Sequence, residues 1–407
     1  MPASKKDIRI LFVKKFTAVD STERDALMKQ LEEEKFAKKI LVENENKLRL
    51  AYNLVAAELN IVKEELGHLR ASRIRPQEDL SFNNLKFMRS NTFDSNTQCR
   101  LLDFDQHLQT FIVGVSRKVG VGRVHGIAKI SLLDPDRIDH LNSLHNQTIK
   151  SFTCSPHGDG MLLSTSFDRT LKLTLMNSNS TILSYPLEAN GWSCCFDLID
   201  RNMVYAGLAN ETICIFDVRN TAGPIRIIPP DSSRALPIHS LSVTAREEGG
   251  RMFSCSTIQS PFVIETLPDG EICRRNDISV TSKGTCSSFI CNSPSQTWMA
   301  SVRGNKTEYS IGSISNEWKP RRTWSYDTPQ KSMTRPSILG CNEYLITLCP
   351  NGPSAVINAF SNTFELLEER LLHTNGSSSI SDVILAGVNK SVFAGLLTER
   401  QFSLFSL

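Results

Sequence analysis

Two residues of this chain could act together in catalysis: the histidine His145 and the carboxylate Asp168. An imidazole oriented by a carboxylate can act as a general base. The sequence supplies no nucleophile for such a base, because it contains no H-E-x-x-H, G-x-S-x-G or G-x-x-x-x-G-K-S/T motif. We therefore favour a structural hydrogen bond between the two side chains and predict no catalytic residue.

The cysteines do not form a metal-binding pattern. The chain has 11 Cys, none before Cys99 and no two spaced C-x-x-C. Cys194 and Cys195 are neighbours in a predicted strand, so their side chains point to opposite faces and do not easily bind one metal. We interpret them as core residues, which suits a reducing compartment. No cofactor is predicted for this chain.

Two further features could bind a ligand. Gly120 and Gly122 could belong to a phosphate-binding loop, but no strand–loop–helix unit surrounds them, so a surface loop is favoured. Trp192 stands at the start of a predicted strand, where the side chain could anchor a protein partner. The alternative, a Trp buried in the fold, is equally compatible with the sequence.

Charge and composition exclude several functions. The chain has 407 residues, 40% of them hydrophobic, which is ample to bury a core. There are 46 basic and 43 acidic residues, giving a net charge of +3 without a clustered basic face. We therefore expect no direct nucleic-acid site. No run of apolar residues is long enough for a membrane span or a signal peptide.

A heptad repeat predicts a coiled coil over residues 21–72. Asp20 followed by Glu23 resembles a capping box before this helix, and apolar residues then recur every 3.5 positions on average. The alternative is a long helix packed on the rest of the protein, and the sequence does not choose between dimer and trimer. The unbroken part of the seam, through which chains would associate, is Leu48, Tyr52, Val55, Leu59, Val62, Leu66 and Leu69.

An internal repeat defines the rest of the chain. Residues 149–175 align with residues 191–217 without a gap, so that residue 149 meets residue 191 at an offset of 42. Asp168 then meets Asn210, and the second unit ends in a near-WD dipeptide at Asp217. A period of about 40–45 residues with several short strands is typical of β-propeller blades.

The repeat predicts a β-propeller of the WD40 type. In such repeats a histidine ahead of the first strand and an aspartate in a later turn, here His145 and Asp168, form a structural hydrogen-bonded pair. Weaker units precede and follow the clear pair and bring the prediction to about seven blades over residues 85–407. The remaining domains are then residues 1–20, the coiled coil at 21–72 and a linker at 73–84.

With these residues in view, the chain resembles the RING finger and WD-repeat domain ubiquitin ligases of the DNA-damage response. The most specific stretch is Trp192-Ser-Cys-Cys-Phe196, followed by segments 204–210 and 216–221. The arm at 6–23 is similar to the segment that joins the RING of that family to its coiled coil. The resemblance spans most of the chain and weakens after about residue 230.

The resemblance implies a function in protein ubiquitination and DNA repair. It implies that the propeller recognises replication protein A, that the coiled coil pairs chains, and that the protein is nuclear, with the cytoplasm as an additional location. The zinc-binding residues of the RING are missing from these 407 residues, so we expect no independent ligase activity from this chain alone. Zinc would belong to that RING.

Two rival hypotheses remain open. One is a scaffold protein, built from a coiled coil and a propeller, that has no connection with ubiquitin. The other is a RING-less product that competes with the full-length ligase by pairing through Leu48–Leu69.

Overall fold

The computed structural model describes most of the chain after residue 81 and a short part before it. The described residues are 26, 28–29, 31–44, 47, 82–230, 235–246, 249–280, 284–314, 318–330, 333–341, 344–374, 376–388 and 391–407. The chain divides into two units, Met1–Asp79 and Leu80–Leu407.

The first unit contains a helix at residues 31–44 whose side chains are all exposed. Its apolar residues are exposed as well, including Leu31 and Leu41 of the predicted heptad seam. The continuous part of that seam, Leu48–Leu69, lies outside the described residues. Pairing of chains through this helix therefore stays a prediction.

The second unit is a seven-bladed β-propeller, which confirms the fold predicted from the 42-residue offset. Its described residues form seven antiparallel sheets of four strands. The first four blades, from innermost to outermost strand, are β2–β5 (Thr97–Asp105, Thr110–Val119, Gly122–Ser131, Ile138–His145), β6–β9 (Ile149–Cys154, Met161–Ser166, Thr170–Leu175, Ser180–Pro186), β10–β13 (Gly191–Phe196, Met203–Leu208, Ile213–Asp217, Arg226–Ile228) and β14–β17 (Ser240–Ala245, Arg251–Ser256, Pro261–Thr266, Ile272–Asp277).

The last three blades complete the ring. They are β18–β21 (Thr285–Asn292, Thr297–Arg303, Thr307–Ser313, Arg322–Tyr326), β22–β25 (Ser337–Cys341, Tyr344–Asn351, Ser354–Ser361, Leu366–His373) and β26–β28 (Ile380–Val388, Ser391–Thr398, Gln401–Ser406). The outermost strand of the seventh blade is β1, Lys86–Thr92, which pairs antiparallel with β28. The two ends of the propeller thus share one sheet, and Phe82, in a 3-10 turn at Phe82–Asn84, is buried beside it.

The two aligned repeats have the same backbone geometry. Strands β6, β7 and β8 begin at residues 149, 161 and 170, and their counterparts begin at 191, 203 and 213. Arg169 and Glu211, which are 42 residues apart, both have positive φ, 58° and 60°, in the turn after the second strand. Two sequence stretches that align therefore make the same turn, although their residues differ.

The core lies between the blades. One cluster joins Phe111 of the first blade to Phe402 and Leu404 of the seventh, and equivalent clusters occupy other junctions. Middle strands such as β24 are buried along almost their whole length because a blade covers each face. Outermost strands such as β17 are exposed and carry charged residues, which blunts the sheet edges against pairing with other chains.

Side chains of the innermost strands hydrogen-bond to the backbone of the next blade. Asp382 accepts from Leu102 N at 2.9 Å, and Asp103 accepts from Cys154 N at 2.8 Å. Hydroxyl groups act in the same way further round the ring, as when Ser337 accepts from Leu385 N at 2.9 Å. These contacts fix the angle between blades and hold the inner strands around a central channel.

Candidate partner-binding site

The innermost strands enclose a cavity of about 320 Å³ on the propeller axis. Its wall includes hydroxyl and thiol groups, the imidazole of His239 and the charged side chains Asp103 and Arg335. Arg335 donates to Leu102 O at 3.1 Å and forms an ion pair with Asp382, whose side chain is 2% exposed. Since the carboxylate of Asp382 holds this arginine, we assign the pair a structural role in the channel wall.

At one end of the channel, β-bulges shape the rim. The pairing of the innermost strand skips one residue near the strand start in five blades. At a bulge the extra residue is left unpaired, and its side chain departs from the regular alternation of side chains between the two faces of the sheet. We call the end at which the innermost strands begin the upper rim. The skipped residues there are Arg100, Lys150, Trp192, Ser287 and Ser381.

Three of these rim residues are large and stand next to one another in the ring. The ammonium group of Lys150 lies 4.2 Å from the ring centroid of Trp192 and 4.9 Å from that of Phe167. The two rings are 5.3 Å apart. Phe167 belongs to the turn after β7, which ends at the upper rim because β7 runs antiparallel to β6. We name Arg100, Lys150, Phe167 and Trp192 the Trp192 cluster.

The Trp192 cluster is partly open to solvent. Trp192, Phe167 and Lys150 are half-buried and Arg100 is exposed. Burial and the charge of Arg100 both lower the pKa of Lys150. The sequence offered two placements for Trp192, in the core or at a binding face. The structure leaves Trp192 half-buried at the upper rim, packed against Lys150 and Phe167, and a role in partner binding stays a prediction.

His145 and Asp168 meet inside the fold. His145 Nδ1 donates to Asp168 at 2.9 Å, and His145 Nε2 accepts from Ser164 Oγ at 2.9 Å. Asp168 also accepts from Asn146 N at 2.9 Å and from the hydroxyl of Thr170 at 2.7 Å. The His145 side chain is 0% exposed and both ring nitrogens are engaged. No substrate can reach this pair, so its role is to join the first blade to the second.

The residues in equivalent positions of the next blade are arranged differently. Asn210 replaces Asp168, and among the described residues its side-chain oxygen has no hydrogen-bond partner. Leu187 stands where the offset of 42 would place a second histidine, and it is buried. Asp217, at the end of β12, holds Arg219 through a bidentate ion pair on the surface. The polar network around His145 and Asp168 is therefore not repeated among these residues of the third blade.

Cys194 and Cys195 point to opposite sides of β10. Cys194 packs in the cluster between the second and third blades, and Cys195 packs against the cluster between the third and fourth. Burial raises the pKa of Cys194 to about 12, so its thiol is protonated and unreactive at neutral pH. All ten cysteines whose side chains the structure describes are free thiols.

His239 stands at the upper rim between the third and fourth blades and makes stability depend on pH. Burial lowers its pKa from 6.5 to about 4, and the charges of Arg303 and Lys150 act in the same direction. Below pH 6.5 the unfolded chain binds a proton at this residue that the folded chain does not bind. Stability therefore falls as pH drops from 6.5 to about 4.

We predict that the wild-type protein loses about 2 kcal/mol more unfolding free energy between pH 7 and pH 5 than a His239→Asn variant does. Urea unfolding at several pH values measures this difference. His107→Asn, a change at an exposed histidine, serves as the control and keeps the wild-type pH dependence. Parallel pH curves for wild type and His239→Asn would contradict the assignment.

The described part of the chain contains neither a metal-binding group of side chains nor a membrane-spanning helix. Its His, Cys, Asp and Glu side chains form no group of three that could hold a metal ion. Within the described residues, no helix has both the length and the apolar composition needed to cross a membrane. The candidate site is the upper rim around the Trp192 cluster.

The fold is that of a WD40-type propeller, a class of domain that commonly mediates protein interactions. The family model described as the E3 ubiquitin-protein ligase RFWD3 WD40 domain matches residues 86–406. The chain belongs to this family. The matched range begins at β1 and ends at β28, so it includes the shared closing blade.

Individual relatives agree with the family. The chain is 25% identical over 260 residues to the E3 ubiquitin-protein ligase RFWD3 of Mus musculus, covering 59% of this chain and 33% of the relative. It is 24% identical over 264 residues to that of Ailuropoda melanoleuca and 23% identical over 265 residues to that of Homo sapiens. In both cases 60% of this chain and 34% of the relative are covered. The chain thus spans about a third of the length of these curated relatives.

Proposed function

We propose that this chain is the substrate-recognition and oligomerisation portion of an E3 ubiquitin-protein ligase. The observation that carries the proposal is the family match over the whole propeller, residues 86–406. The propeller supports a binding role because its polar residues with catalytic potential, His145 and Asp168, are buried and fully engaged. Its open, chemically distinctive surface is the upper rim. Ubiquitin transfer itself would be performed by a RING domain.

The proposed substrate is replication protein A bound to single-stranded DNA. This choice comes from the resemblance of segments around Trp192 to ligases of the DNA-damage response. A role in DNA repair and a nuclear location follow from the same choice. The nucleic acid would be held by replication protein A rather than by this chain, whose net charge is only +3.

The proposed oligomerisation element is the N-terminal helix. Its described part, residues 31–44, leaves Leu31 and Leu41 exposed, 45% and 68% respectively. Apolar residues at heptad positions need a partner helix to become buried. Two or more propellers on one stalk would bind a repeated substrate more tightly than one propeller, because the second contact becomes intramolecular.

We expect immobilised full-length chain to capture purified replication protein A with an affinity in the micromolar range or tighter. The measurement is biolayer interferometry with replication protein A alone and with its complex with an oligothymidylate. The oligothymidylate alone, and chain unfolded by heat before immobilisation, serve as controls. If neither replication protein A alone nor its complex with oligothymidylate is captured, this proposal is contradicted and the scaffold hypothesis is favoured.

A further inference from the structure

We propose that the Trp192 cluster is a binding site for an acidic peptide segment of the protein substrate, with carboxylates meeting Lys150 and Arg100 and an apolar side chain meeting Trp192. The inference rests on the proposed function and adds the chemistry of the recognised segment. It is carried by four observations: uncompensated positive charge, half-buried aromatic surface, an apolar hairpin on the same rim and the small size of the basic zone.

The positive charge of the cluster has no acidic partner in the described part of the chain. The ion pairs of that part involve neither Lys150 nor Arg100. These two cations repel each other, and burial adds to the lowering of the Lys150 pKa. Since the nearest compensation is the face of two aromatic rings, a carboxylate from outside would gain a charge-assisted contact without breaking one.

The aromatic surface supplies the second half of the site. Trp192 and Phe167 hold the Lys150 ammonium between them, which fixes the long lysine side chain before any ligand arrives. Less conformational entropy is then lost on binding. Trp is also the residue type that most often carries binding energy at the centre of protein interfaces.

A hairpin of the first blade, which carries Arg100, stands on the same rim. Strands β3 and β4 are joined by Gly120 and Val121 at the upper rim, and Gly120 has a φ of 59°, as a tight hairpin turn requires. Val119 and Val121 are both exposed, and Lys118 and Arg123 flank them. The hairpin therefore offers apolar side chains with positive neighbours, which matches an acidic segment that also carries apolar residues.

The size and surroundings of the basic zone favour a peptide over nucleic acid. Arg123 donates to Gln98 at 2.8 Å, and the amide of Gln98 donates in turn to the carboxylate of Glu399, so the rim turns acidic on that side. On the other side, Glu211 is paired with Arg275 at 2.9 Å. A nucleic-acid strand needs a continuous series of cations along several phosphates, whereas a short acidic segment needs only the two cations of the Trp192 cluster.

Fluorescence anisotropy with the full chain tests the site directly. The probe is a fluorescein-labelled peptide of Asp and Glu residues with a single central Leu. Lys150→Glu and Trp192→Ala are each expected to weaken its binding about tenfold. Arg137→Glu makes the same charge change at an exposed residue where β5 begins, at the opposite end of the first blade, and it is expected to bind like the wild type. Circular dichroism melting establishes that each variant is folded, and Lys150→Glu decides the outcome if Trp192→Ala is not.

The outcomes separate this inference from the proposed function. Failure of the wild type to bind the peptide, or equal binding by all variants, overturns the site. Tighter binding of a fluorescein-labelled oligothymidylate than of the peptide overturns the acidic-peptide assignment in favour of nucleic acid. Capture of replication protein A that Lys150→Glu leaves unchanged would keep the proposed function and remove this site. Peptide binding without capture of replication protein A would keep this site and contradict the proposed function.

Discussion

Replacing Asp382 by alanine is expected to lower the free energy of unfolding by about 3 kcal/mol. Asp382 is 2% exposed, forms the ion pair with Arg335 and accepts the Leu102 N–H at 2.9 Å. Its removal leaves the Arg335 guanidinium without its ion-pair partner and a buried N–H without an acceptor. The loss falls at the junction of the sixth, seventh and first blades, where the ring closes.

Two further variants identify the cause of the loss. Asp382→Asn keeps an acceptor for Leu102 N–H but removes the charge, and its effect is expected to be intermediate. The double variant Arg335→Met/Asp382→Leu removes both members of the ion pair and is expected to be more stable than Asp382→Ala, because no guanidinium is left without its partner. Asp327→Ala, at an exposed ion pair with Lys306, is the control. Urea unfolding followed by tryptophan fluorescence measures all four, and equal stability of Asp382→Ala and wild type would refute the argument.

The propeller could be predicted because two of its blades are alike in sequence. Residues 149–175 and 191–217 share positions for strands and turns, and a shared period requires only local agreement between residue types. The closing strand could not be predicted in the same way. Lys86–Thr92 pairs with residues more than 300 positions away, and its own sequence, with charged and polar residues at most positions, carries no sign of a partner.

The candidate site could be predicted only in part. The sequence indicates that Trp192 could lie near one face of the propeller, because this residue stands where a strand begins. Its neighbours could not be predicted, since Lys150 comes to it through a one-residue skip in the pairing of β6 with β7, and a bulge of this kind depends on the assembled sheet. Phe167 joins them from a turn, which had no distinguishing residue pattern.

The ion pair of the channel could not be predicted from the sequence for a related reason. Arg335 and Asp382 lie 47 residues apart in blades that carry no diagnostic repeat residues. In the sequence each looks like a solvated surface charge, which is the usual position of these residue types. Only the convergence of the innermost strands on one axis brings them together. The same convergence brings Lys150 and Trp192 to one rim, so the stability of the ring and the geometry of the proposed binding site have a common origin.

Replacing Phe111 by alanine is expected to destabilise the propeller by about 4 kcal/mol. Phe111 lies on β3 and is 0% exposed. Its ring centroid is 4.7 Å from that of Phe104 and 5.0 Å from that of Phe402, which belongs to the seventh blade. Alanine would leave a cavity between the first and last blades, where neighbours held in two different sheets can collapse only partly into the space.

Phe87→Ala is the matched control, because it removes the same atoms from the same closing region. Phe87 on β1 is 42% exposed and contacts Phe405 edge-on at 5.4 Å, so its removal leaves no enclosed cavity and is expected to lower the free energy of unfolding by about 1 kcal/mol or less. Urea unfolding of both variants measures the difference. If the two substitutions cost the same, packing of Phe111 against Phe402 does not contribute specially to joining the first and seventh blades, and the closure of the ring must depend on other contacts such as the β1–β28 pairing and the hydrogen bond from Leu102 N to Asp382.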